Sequence, residues 1–189
     1  MTKLSSRRVA AGIVATLCAT APAAAQSGQP APAYTAPEIH DTGSLQGPRQ
    51  PIFFRHDVHA GQDRIPCMYC HYSAAVSSEP GIPSLQTCAG CHVMIGGKTD
   101  SRKAEIQKVR DAWANKKAPE WVRIHALPGF VHFPHFRHVK ALGTESCSTC
   151  HGDVRQMPQV HQVSPLSMGW CISCHMQKQV TRDCLVCHY

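Results

Sequence analysis

Five copies of Cys-x-x-Cys-His stand in this chain: Cys67/Cys70/His71, Cys88/Cys91/His92, Cys147/Cys150/His151, Cys171/Cys174/His175 and Cys184/Cys187/His188. The pattern is the attachment signature of c-type haem. Two thiols form thioether links to the porphyrin, and the adjacent imidazole becomes the proximal iron ligand. A two-residue gap puts both sulfurs on one side of a short helical turn and aims the histidine at the metal. Five repeats point to five covalently held haems. Zinc sites pair such turns or join one to a histidine pair, and five turns do not divide that way. A thioredoxin-like redox pair needs a βαβ context. Iron–sulfur ligation asks for a tighter cysteine run. A disulfide framework suits an oxidising compartment but leaves the recurring histidine unexplained. The eleventh cysteine, Cys18, lies in the N-terminal apolar run.

An iron with two protein ligands exchanges electrons, whereas an open sixth position admits small molecules. Of 13 histidines, eight remain after the proximal five: His40, His56, His59, His125, His132, His135, His138 and His161. Phe54-x-His56-x-x-His59 and Phe133-x-His135-x-x-His138 repeat one pattern, each followed by an attachment turn. Imidazoles three residues apart on a helical turn share a face and can serve two haems. These four are the first candidates for distal ligands. For the fifth, His125 and Met168 are both candidates, with a slight lean to His125. Met168 could equally pack on a haem edge. His132 and His161 read as propionate partners or solvent-facing groups, and His40 as no ligand. Ligand supply meets demand, so the pattern reads as an electron wire without substrate chemistry or catalytic residues of its own.

The elements that must position these groups are sparse. Aromatics are only 6% of the sequence, too few for an ordinary core, so short helices and irregular loops wrapped around stacked haems are expected, with almost no β-sheet. The expected organisation is a leader over 1–25, a flexible linker over 26–50 rich in Pro, Gly, Gln and Ala, a two-haem module over 51–99, a linking helix within 100–120 and a three-haem module over 121–189. The helix is expected from Ser101 to Lys117, capped by Asp100 and stopped by Pro119. Lys3, Arg7 and Arg8 precede an apolar run ending at Ala23-Ala24-Ala25, the layout of a secretory signal peptide, with an uncleaved N-terminal anchor as the alternative. Either places the protein on the periplasmic side of a bacterial inner membrane. The formal charge is +7, and loss of the leader's three cations leaves +4. Five ferric haems, at about one negative charge each, bring the total near neutrality. The basic composition therefore does not indicate nucleic acid, and the cations are better read as propionate partners.

The Phe-x-His-x-x-His module with its attachment turns resembles class III multihaem cytochromes c. Longer stretches are more specific: His59-Ala60-Gly61, Ile65-Pro66-Cys67-Met68-Tyr69-Cys70-His71-Tyr72, Gly81-Ile82-Pro83, Trp121-Val122-Arg123-Ile124-His125, Val131-His132-Phe133-Pro134-His135 and Met168-Gly169-Trp170-Cys171. Together they resemble the pentahaem subunit of alternative complex III, a quinol-oxidising membrane assembly of respiratory or photosynthetic chains. The resemblance implies membrane subunits, an iron–sulfur protein and a monohaem cytochrome c as partners; a freely diffusing periplasmic multihaem electron carrier is the alternative. It implies His71, His92, His151, His175 and His188 as proximal ligands, and His56, His59, His125, His135 and His138 as distal ones, with Met168 keeping a His/Met haem open.

Overall fold

The computed structural model describes residues 33–189, which form one compact unit. The expected leader over 1–25, with Cys18, and residues 26–32 lie outside the described residues. Among those described there is no strand, and no helix is long and apolar enough to cross a membrane. Six short helices carry the body: α1 (Cys67–Cys70), α2 (Leu85–His92), α3 (Asp100–Ala114), α4 (His135–Leu142), α5 (Cys147–His151) and α6 (Met168–Gln177). A π-helical turn, Asp57–Gln62, precedes them, and 3-10 turns at Tyr72–Ala75, Thr144–Ser146, Val154–Gln156 and Cys184–Val186 fill the joints.

The apolar core is thin. Among the described residues the buried hydrophobic side chains are Ala36, Ile52, Ala89, Val109 and Met157. Tyr69, Tyr72, Ile95 and Phe130 stay more than half exposed. Polar groups do more of the joining. Asp57 is fully buried and accepts from Arg55 Nε at 2.9 Å and from Tyr34 Oη at 3.3 Å, with a second Arg55 nitrogen completing the ion pair. Burial of both partners removes the screening that makes surface pairs weak.

α3 differs in detail from its expected bounds. Thr99, not Asp100, is the cap, its hydroxyl accepting from Arg102 N–H at 3.3 Å. The helix stops at Ala114, before Pro119, because Lys116 takes a left-handed backbone (φ 52°). Nor is α3 only a link. It packs on α2, Arg110 Nε donates to His92 O at 2.7 Å, and Glu105 accepts from Phe53 N–H at 2.8 Å. The stretch read as linker is also engaged from Tyr34 onward. Ala36 N–H donates to Gln62, Arg102 pairs with Glu38, and Gln159 Nε2 donates to Gly47 O at 2.7 Å. At Gly47 (φ 93°) a Cβ would fall 2.4 Å from Val160 O, so the close approach and the backbone angle both require glycine.

Candidate haem sites

Each cysteine pair spans one tight turn. Cys67 and Cys70 bound α1, Cys88 and Cys91 sit on α2, Cys147 and Cys150 on α5, Cys171 and Cys174 on α6, and Cys184 opens the final 3-10 turn that Cys187 closes. None of the ten is joined in a disulfide. Burial pushes the Cys70, Cys88, Cys147, Cys150 and Cys171 thiols up. α6 begins on a Ser167 cap, whose hydroxyl accepts from Trp170 N–H at 3.4 Å and starts the helix one residue before Gly169-Trp170-Cys171.

The histidines after four of these turns each face a histidine of the Phe-x-His-x-x-His repeats. His71 faces His56, with ring centroids 6.3 Å apart and planes at 11°. His92 faces His59 at 5.9 Å and 74°. His151 faces His135 at 6.5 Å and 17°, and His175 faces His138 at 6.1 Å and 43°. Two metal–imidazole bonds of about 2 Å in line, with half a ring at either end, also add to roughly 6 Å. Rings sharing a nitrogen–metal–nitrogen axis rotate freely about it, so parallel and crossed planes both suit an iron between them.

The two repeats are built alike. Phe54 stacks on His59 at 4.5 Å and meets His56 edge-on at 4.7 Å. Phe133 stacks on His138 at 4.0 Å and meets His135 edge-on at 4.8 Å. The second histidine of each donates from Nδ1 to the carbonyl four residues back: His59 to Arg55 O at 2.8 Å, His138 to Pro134 O at 3.1 Å. Four other rings of the repeats and attachment turns also find carbonyls. His92 reaches Ile95 O (3.2 Å), His135 Ser78 O (3.0 Å), His175 Thr181 O (2.6 Å) and His188 Phe130 O (3.1 Å). A carbonyl can only accept, so Nδ1 carries a proton, and in the neutral ring Nε2 is then the nitrogen left with a lone pair for a metal.

Burial favours the same neutral state. It pushes His56 down to about 4, helped by the charges of His71 and His59 and opposed by Asp57. It pushes His151 down to about 4, helped by His125, His135 and His71. His59, His71, His125 and His138 are also lowered, burial being the largest cause in each.

The remaining candidates fall elsewhere. His125 lies 4.5 Å from His151, ring to ring at 82°, and its Nε2 is buried without a partner. It joins the His135/His151 pair, while His188 has Phe130 as its ring neighbour at 5.9 Å. Met168 opens α6 and is 66% exposed. His132 stacks on Tyr189 at 4.3 Å, its backbone N–H donating to Cys187 O at 2.8 Å. His161 sits beside Gly47, and His40 is exposed. The carbonyls of Ser78, Ile95, Thr181 and Phe130 were not foreseeable, since a backbone acceptor leaves no mark in residue type. The Arg55–Asp57 pair did leave one. Those two positions are Pro134 and Phe136 in the second repeat.

Five Cys-x-x-Cys-His turns and opposed imidazoles, on a helical body without a strand among the described residues, suit the binding of c-type haem. No family model matches the chain. It is similar to the multihaem cytochrome c subunit of menaquinone reductase from Nitratidesulfovibrio vulgaris, 28% identical over 163 residues that cover 74% of this chain and 76% of the relative.

Proposed function

We propose that this chain carries five c-type haems and relays electrons on the periplasmic side of the inner membrane, as a subunit of a quinone-linked membrane oxidoreductase. The observation that carries the reading is the set of four histidine pairs, each one iron wide and each ending on a Cys-x-x-Cys turn. When bound, each haem supplies an iron that cycles between ferric and ferrous and so takes up or gives one electron. The chain's own residues hold and orient. Ten thiols anchor the macrocycles. His71 and His56 hold the first iron, His92 and His59 the second, His151 and His135 the third, His175 and His138 the fourth, and His188 the fifth from its proximal side. Carbonyls on Nδ1 hold His59, His92, His135, His138, His175 and His188 in the ligating tautomer, and Phe54 and Phe133 fix the distal rings in place.

The relative's name sets such a cytochrome in a menaquinone reductase, and the sequence resemblance points to the quinol-oxidising alternative complex III. Quinone chemistry in a membrane complex is common to both. In the second case the partners are membrane subunits, an iron–sulfur protein and a monohaem cytochrome c. Membrane isolation of the native protein, with haem staining and intact-mass measurement, tests the reading. Five added haems and co-purifying membrane subunits are expected. Fewer than five haems, or a haem protein that purifies alone from the soluble fraction, would overturn it.

A further inference from the structure

The order of the attachment turns along the chain is not their order in space. His56 and His59, which face the first and second attachment histidines, are one turn apart and share Phe54. Cys70 of the first turn is near Cys88 and Cys91 of the second. His135 and His138, facing the third and fourth, likewise share Phe133. Cys150 of the third turn is near Cys171 and Cys174 of the fourth.

The two halves are joined through the first and third turns. Just after the first, Ser78 O accepts from His135 Nδ1 at 3.0 Å and Ser77 O from Phe136 N–H at 3.2 Å. The Cys147 thiol, which donates to Thr144 O at 2.9 Å, comes near Cys67 of the first turn, and His71 comes near His151. The second turn is held by α3, through Arg110 on His92 O, while the π-helical turn that carries His59 packs on Val154–Gln156, just after the third turn. The fifth turn joins the fourth. His175 Nδ1 draws Thr181 O in at 2.6 Å, folding the connecting segment back, and Cys187 comes near Cys171. His188 and Cys187 then bond to Phe130 and His132, just before the helix that carries His138.

We propose that the relay runs in the spatial order second, first, third, fourth, fifth, so that electrons enter and leave at the Cys88/Cys91/His92 and Cys184/Cys187/His188 sites. This rests on the reading of the chain as a pentahaem relay. The first and third sites, adjacent across the join, are then the step by which electrons cross between the two halves, although Cys147 lies seventy-six positions after His71. Electron exchange weakens steeply with distance, so nearest neighbours set the route.

Iron anomalous scattering from crystals of the full holoprotein tests the order directly. The expected map has the first iron closest to the second and third, with the second and fifth at opposite ends. A second iron nearer to the third than the first is would overturn the proposal. In solution, His56→Met gives the first site a thioether ligand and a higher potential. That site then reduces earlier, and its added negative charge makes its neighbours harder to reduce. Site-resolved redox titration by paramagnetic NMR is expected to lower the second and third potentials and leave the fifth unmoved. A fifth site that moves as far as the second or third would refute the order. A holoprotein mass short of five haems would instead remove the relay reading itself, so the two failures are distinguishable.

Discussion

Asp57→Ala is the perturbation with the clearest consequence. Asp57 has no exposed side-chain surface and Arg55 is 8% exposed, so removing the carboxylate leaves a guanidinium buried among groups that cannot solvate it. Breaking one side of a buried ion pair costs about 3–5 kcal/mol. Tyr34 loses its acceptor as well. A guanidinium slope of about 4 kcal/mol per molar turns this into an unfolding midpoint lower by about 1 M. The assay is guanidinium unfolding of the ferric holoprotein, followed by far-UV circular dichroism and the haem absorption band. The second repeat supplies the control. Pro134 and Phe136 occupy the matching positions and the same histidine geometry forms without charge. Arg55→Met with Asp57→Leu is therefore expected to recover most of the lost stability, because no unpaired charge remains. The low-spin spectrum should loosen only in the single variant, since Arg55 also presents the carbonyl that orients His59. A single-variant loss under about 1 kcal/mol, or a double variant as unstable as the single, refutes the reasoning.

Three further outcomes are expected. His138→Ala removes the ring facing His175, so one haem in five should become high-spin and bind carbon monoxide, as measured by the reduced-state difference spectrum. Ligation by His56 should resist acid. Its pKa is lowered from 6.5 to about 4, so the neutral ring is fully present above pH 6.5 and is lost only as pH falls through about 4; a high-spin transition at the first site complete by pH 6 would contradict this. Gly61→Ala should destabilise the fold by about 1–3 kcal/mol through overpacking, because its Cβ would lie 2.2 Å from Arg155 O and 2.9 Å from the Tyr34 ring. Thermal unfolding of the holoprotein reads that loss.

The attachment turns and the two Phe-x-His-x-x-His repeats were legible because their chemistry is local. Thiol spacing on one turn and imidazoles three residues apart depend on helix geometry alone, and the sparse aromatics limit any conventional core. The boundaries of α3 were less legible, since Thr99 and Asp100 can both cap and the left-handed turn at Lys116 carries no strong residue signal. Pairing and order were not legible at all. That His56 meets His71 and His59 meets His92, that His125 settles beside His151 and away from His188, and that the first turn abuts the third, all depend on contacts between distant segments. Those contacts run largely through backbone carbonyls, which every residue possesses. The sequence by itself determined how many Cys-x-x-Cys-His turns the chain offers and which kinds of group could hold an iron. Only the folded chain decided which groups face one another, because that choice belongs to the path of the backbone.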